Sequence, residues 1–184
     1  IFAIVTTTIM AQKDDYYYNI PEAPKEYTAT TVASRMVDGL GFRYYWATYG
    51  LTDKDLAFQP NKEARTTLQT TDHILGLSNM ILSAAKNEPN KGFDTKGLTF
   101  AEKRKKTLAN FEEASKILRG AKNLEDHKII FNRGDQTTTM PFWNVINGPI
   151  SDALWHVGQV VSFRRSSGNP LPKGVSVLAG TKRD

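Results

Sequence analysis

Apolar residues recur at helical spacing in four long stretches of this chain, and polar segments rich in glycine or proline separate them. The first stretch, residues 27–49, repeats Val32, Met36 and Leu40 and continues into the aromatic run from Phe42 to Trp46, with Gly50 placed to stop it. Residues 51–65 read as a linker containing Asp53, Asp55 and Pro60. The second helix starts near Thr66. Thr66 and Gln69 have capping-box spacing, in which a hydroxyl and an amide each satisfy a free backbone donor of the first turn. Its apolar stripe runs through Leu77, Ile81 and Ala84 toward Ala85 and breaks at residues 87–92, which hold Pro89 and Gly92. The third helix opens on a second capping box, Thr99 with Glu102. It turns Leu108, Phe111, Ala114 (or Ser115) and Leu118 inward and ends at Gly120. Residues 124–140 form a connection with a short extended piece at residues 128–131 and a turn at Asn132-Arg133-Gly134-Asp135. The fourth helix begins around Pro141, because proline suits a first position whose N–H has no partner, and it runs to about Ser167. Gly148-Pro149 lies inside it and predicts a kink, since proline removes a donor and crowds the preceding turn. Gly168-Asn169-Pro170 ends it.

Four long helices with little strand predict an all-α fold, a four-helix bundle with long connections, over residues 27–184. Residues 12–26 read as an irregular lead-in that packs on the body through Tyr16, Tyr17 and Tyr18. Residues 1–11 carry no charge, and polar Gln12-Lys13-Asp14-Asp15 follows at once. This pattern reads as the end of a signal peptide with Ala11 as the small residue before the cut, which predicts export to the periplasm or beyond; the alternative is a short buried strand or an ordinary N-terminal arm.

Composition narrows the function. A chain of 184 residues suits one domain, and the absence of cysteine excludes disulfides, zinc–thiolate sites and thiol nucleophiles. The net charge of +5 comes from scattered basic residues. The densest run, Lys103-Arg104-Lys105-Lys106, falls on a predicted helix as a solvated face, so no nucleic-acid partner is expected. No stretch approaches the roughly 20 apolar residues that a membrane span needs. Phosphate-binding glycine loops and nucleophile elbows are missing as well.

Asp152 and His156 are four residues apart on the fourth helix, one turn apart on one face, and two such side chains can reach one cation. A third ligand must come from elsewhere, and the other histidines are His73 and His127. His73 lies inside the second helix and suits a rigid site between facing helices; Gly76, one turn further, leaves space for a ligand. On spacing alone, a surface helix pair or a hydrogen-bonded buried histidine is the commoner meaning. Gln159, one turn beyond His156, is a candidate to orient that ring or to pack as a buried amide. Trp46, Tyr45 and Trp155 are candidates to line a pocket, with core packing as the ordinary role. Arg164 and Arg165 are expected at a solvated helix end, favoured there by the helix dipole.

The segment Asn147-Gly148-Pro149-Ile150-Ser151-Asp152-Ala153-Leu154-Trp155-His156-Val157-Gly158-Gln159 resembles the last-helix motif of the DinB/YfiT-like superfamily. That motif has a histidine, three residues, a second histidine, one residue and Gly-Gln. His73-Ile74 resembles the family's histidine near the middle of its second helix, and Leu51-Thr52-Asp53-Lys54-Asp55-Leu56-Ala57-Phe58-Gln59-Pro60 resembles its first connection. The resemblance covers roughly residues 27–170. It implies a four-helix bundle of the DinB/YfiT-like type and a triad of metal ligands at His73, Asp152 and His156, around zinc, nickel or a similar divalent ion. It also implies a reaction class, thiol-dependent S-transfer with a low-molecular-weight thiol such as bacillithiol or mycothiol, or isomerisation of maleylpyruvate, and often a homodimer. The chain departs from the pattern at Asp152, where the family has a histidine. Two histidines and a carboxylate leave open positions and suit Fe(II), Zn(II) or Ni(II). The expectation is a divalent-metal-dependent transferase or hydrolase acting on a small molecule. The alternative is a non-catalytic bundle that binds a small molecule or protein partner without turnover.

Overall fold

Side-chain caps set the helix starts. The computed structural model describes residues 15–183, so the expected signal-peptide remnant over residues 1–11 lies outside the described residues. Helix α1 (Ala29–Thr48) begins after Thr28, which pairs reciprocally with Thr31. Helix α2 (Asp53–Ala57) is one short turn inside the expected linker, capped by Thr52 with Asp55. Helix α3 (Thr67–Lys86) begins at the Thr66–Gln69 box, where the Thr66 N–H donates to Gln69 Oε1 at 2.9 Å and the Gln69 N–H donates back to Thr66 Oγ1 at 3.1 Å. Helix α4 (Phe100–Gly120) begins at the Thr99–Glu102 box. In each case a short polar side chain satisfies donors that the helix itself cannot.

The fourth predicted helix is interrupted. Helix α5 (Phe142–Val145) leads into one wide turn, residues Ile146–Ile150, and helix α6 (Ser151–Ser167) continues from it. Gly148 leaves helical geometry there (φ −87°, ψ −106°), immediately before Pro149, which has no N–H to give. The Ser151 N–H donates to the Ile146 carbonyl across this wide turn, and Ser151 Oγ donates to the same carbonyl at 2.6 Å.

The four long helices form a closed ring: α1 packs on α4, α4 on α3, α3 on α6 and α6 on α1. Val37, Leu40, Ile74, Ile81, Phe111, Leu118 and Val160 fill the interior with almost no exposure. The fold is mostly helical but not wholly so. Strands β1 (Lys128–Arg133) and β2 (Gln136–Pro141) form an antiparallel hairpin that pairs Arg133 with Gln136 and Ile129 with Met140. It extends the short piece expected at residues 128–131. A minimal pair, β3 (Val175–Ser176) with β4 (Thr181–Lys182), lies in the tail. Among the described residues, no helix is long and apolar enough to cross a membrane.

The inward face of α1 differs from the stripe expected there. Val32 is 46% exposed, whereas Ala33, Val37 and Leu40 are buried, and so is Asp38. Asp38 accepts from Ser115 Oγ at 2.5 Å and from Arg119 Nη2 at 2.5 Å, which joins α1 to α4 by a buried polar network. Burial pushes the Asp38 carboxyl up; the Ser115 hydroxyl and the Arg119 guanidinium pull it back. An apolar periodicity cannot register an interior face that contains a charged residue.

The lead-in and the tail belong to the body. Tyr17 is buried across Gly41, and Trp46 Nε1 donates to the Tyr18 carbonyl at 3.1 Å. The Ile20 N–H donates to the Gly180 carbonyl at 2.8 Å, and the Lys182 N–H donates to Asn19 Oδ1 at 2.9 Å, so the two chain segments close on each other.

Candidate metal centre

Helix α3 contributes His73, and α6, resuming after the Pro149 turn, contributes Asp152 and His156. Packing of α3 on α6 brings the three together. His73 Nε2 lies 3.1 Å from Asp152 Oδ2, and His156 Nε2 lies 3.2 Å from Asp152 Oδ1. One donor atom from each residue can be chosen so that all three lie within 4.8 Å of one another. The two imidazoles meet edge to face, with centroids 4.6 Å apart. His156 is the most buried of the three, and the His73 and Asp152 side chains are 33% and 39% exposed, so solvent reaches one side of the cluster.

Gln159 sits one turn beyond His156, and its Oε1 is 2.8 Å from His156 Nδ1. An amide oxygen only accepts, so in this orientation Nδ1 carries the proton. A neutral His156 then points the lone pair of Nε2 toward an anionic carboxylate. His73 Nε2 faces the other oxygen of the same carboxylate, and a cation among these groups, a proton or a metal ion, joins them. The spacing suits a metal. Two ligands each about 2.1 Å from a zinc-sized ion lie about 3.0–3.4 Å apart; the two contacts fall in that range, one to each oxygen of Asp152. The residues present therefore fit a divalent ion of borderline character.

His127 is excluded as the third ligand. It is buried, its Nδ1 lies 2.8 Å from the Ala85 carbonyl, and it packs edge-on to Phe142. Gly76 does lie beside the cluster. With His73, Asn79, Met80, Asn90 and Phe93 it lines an open groove of about 390 Å³, and a Cβ at Gly76 would meet nothing within 4 Å.

The other expected residues fall elsewhere. Trp155 is 72% exposed on the outer side of α6, and Trp46 and Tyr45 are core residues packed edge-on to each other. Arg164 is not a solvated helix end. It is buried, and its Nη1 donates to the carbonyls of Trp46 (2.9 Å) and Ala47 (3.0 Å) while its Nε donates to the Asn169 carbonyl at 2.7 Å. One side chain thereby serves the free carbonyls at the end of α1 and the turn after α6. Asp55 is the second residue with an unexpected role. Hydrogen bonds from Asn169, Ser167 and Thr52 outweigh the effect of its burial and hold its carboxyl well below the usual carboxylate range.

Asp72, next to His73, also carries weight. It accepts from Lys103 Nζ at 2.9 Å and so joins α3 to α4 beside the cluster. Its position directly before a candidate ligand was the only sequence signal for it. No protein-family model, curated protein or solved structure matches this chain.

Proposed function

We propose that this protein is a divalent-metal-dependent enzyme of the DinB/YfiT-like class, a thiol-dependent transferase or hydrolase acting on a small molecule. His73, Asp152 and His156 hold the ion. The observation that carries this reading is the convergence of two imidazole nitrogens and a carboxylate from two separate helices, 79 residues apart in sequence for His73 and Asp152. An ion held there supplies Lewis-acid polarisation of a substrate atom. The chain's own residues do the rest. Gln159 fixes the tautomer of His156. Asp152 brings a single negative charge, which leaves a dipositive centre with one positive charge and favours an anionic substrate group such as a thiolate. The groove beside His73, open at Gly76, gives a substrate room next to the centre.

The test is metal analysis of protein purified without chelator, in parallel with a His73→Ala variant. The expected result is one divalent ion per chain that the variant loses. Protein without a divalent ion, or undiminished binding in the variant, overturns the proposal.

One observation favours a second reading, a non-catalytic bundle. Asp152 lies at hydrogen-bonding distance from His73 and at ion-pair distance from His156, so a proton on His156 suffices to complete the cluster. Metal-stimulated turnover of a thiol-conjugation or ester substrate decides for the enzyme.

A further inference from the structure

A second groove lies between α1, α6 and the tail, on a face of α6 different from that of Asp152, His156 and Gln159. Its volume is about 360 Å³, near the lower end of ligand pockets, about 300–1,000 Å³. Phe42 and Trp46 of α1 and Val157 and Val161 of α6 form apolar walls, and Leu171 closes it from the tail. Two guanidiniums stand on this groove, those of Arg43 and Arg165.

Neither has an acidic partner among the described residues. Arg43 donates once, to the Gly39 carbonyl at 2.9 Å, and the Arg165 side chain has no hydrogen bond or ion pair among the described residues. Residues 153–183 contain Arg164, Arg165, Lys173, Lys182 and Arg183 and no aspartate or glutamate, so the described part of the tail offers no acidic side chain. The helix dipole accounts for Arg165 in the last turn of α6. It does not account for Arg43, which lies outside the last turn of α1. A guanidinium offers a planar fork of donors that matches a carboxylate. Two such forks at an apolar groove match an anionic head joined to an apolar body.

We propose that this groove binds a small organic anion with an apolar body, a medium-chain carboxylate, independently of the metal centre. The test is calorimetric titration of the full chain with octanoate and with octan-1-ol, in EDTA so that metal occupancy plays no part. Two variants accompany it: R43Q/R165Q, which removes both charges, and Val161→Trp, which fills the groove. Octanoate should bind saturably, one per chain, at least tenfold more tightly than octan-1-ol. R43Q/R165Q should weaken it at least tenfold, and Val161→Trp should abolish it, with circular dichroism showing both variants folded. The proposal fails if wild-type protein shows no saturable octanoate binding, if octan-1-ol binds equally well, or if folded R43Q/R165Q keeps wild-type affinity. It also fails if an acidic peptide, but not octanoate, occupies the groove.

Discussion

Replacing Gly41 by alanine sets two effects of known sign against each other. In the middle of α1, alanine is intrinsically better than glycine by about 0.8–1 kcal/mol. The structure opposes this gain. A methyl group at position 41 would sit 2.3 Å from Cζ of Tyr17 and 2.6 Å from both Cε atoms. Carbon atoms in contact prefer about 3.5–4.0 Å, so the overlap exceeds about 1 Å. Tyr17 has nowhere easy to go: it is 2% exposed, packs edge-on to Tyr16 at 4.8 Å, and places its hydroxyl 3.5 Å from Asp38. Overpacking of this kind costs about 1–3 kcal/mol, and expelling the ring forfeits a comparable amount of burial. Set against the gain, this leaves a net cost of about 0–2 kcal/mol, and an overlap of this size against a buried ring puts it at the upper end, about 2 kcal/mol. For a chain of this length about 2 kcal/mol corresponds to a melting-temperature drop of about 4–8 °C, read by circular dichroism. In a Tyr17→Ala background the same substitution should become stabilising by up to about 1 kcal/mol, because its opponent has gone. A higher melting temperature for Gly41→Ala in the wild-type background, or strictly additive effects in the double variant, would refute the packing argument.

Three further outcomes are expected. Gln159→Leu removes the acceptor for His156 Nδ1 and should weaken zinc binding about 10–100-fold, or about 1.4–2.7 kcal/mol, in a competition titration; unchanged affinity would show that the tautomer is set otherwise. Arg164→Lys should destabilise by about 3 kcal/mol in urea unfolding, because one ammonium cannot serve the carbonyls of Trp46, Ala47 and Asn169 together; a loss under about 1 kcal/mol would contradict the clamp. Asp55 is held below the ordinary carboxylate range by hydrogen bonds that outweigh its burial. A depressed folded pKa gives stability that is complete above the unfolded value, about 3.9, and is lost as the pH falls toward the folded one. Melting temperatures measured between about pH 2 and 7 should therefore fall less steeply on acidification in Asp55→Asn than in wild type; parallel curves would exclude this role.

The sequence alone determined what is decided within one or two helical turns. The Thr66–Gln69 and Thr99–Glu102 boxes start helices at the expected residues, because a cap and its donors are three residues apart. The break at Gly148-Pro149 follows from a missing N–H. Asp152 and His156 share a face because of the helical repeat. Tertiary structure decided what depends on distant segments. Only the packing of α3 on α6 brings His73, rather than His127, to Asp152. Asp38 and Arg164 look like surface residues by type and lie inside, because Ser115 and Arg119 answer the first and the carbonyls at the end of α1 answer the second. Val32 extends an apolar stripe and lies outside, because the ring of helices closes around Val37 and Leu40 instead. A hydrogen bond to the next turn can be read along the chain. Burial of a polar group depends on a partner that only the fold supplies.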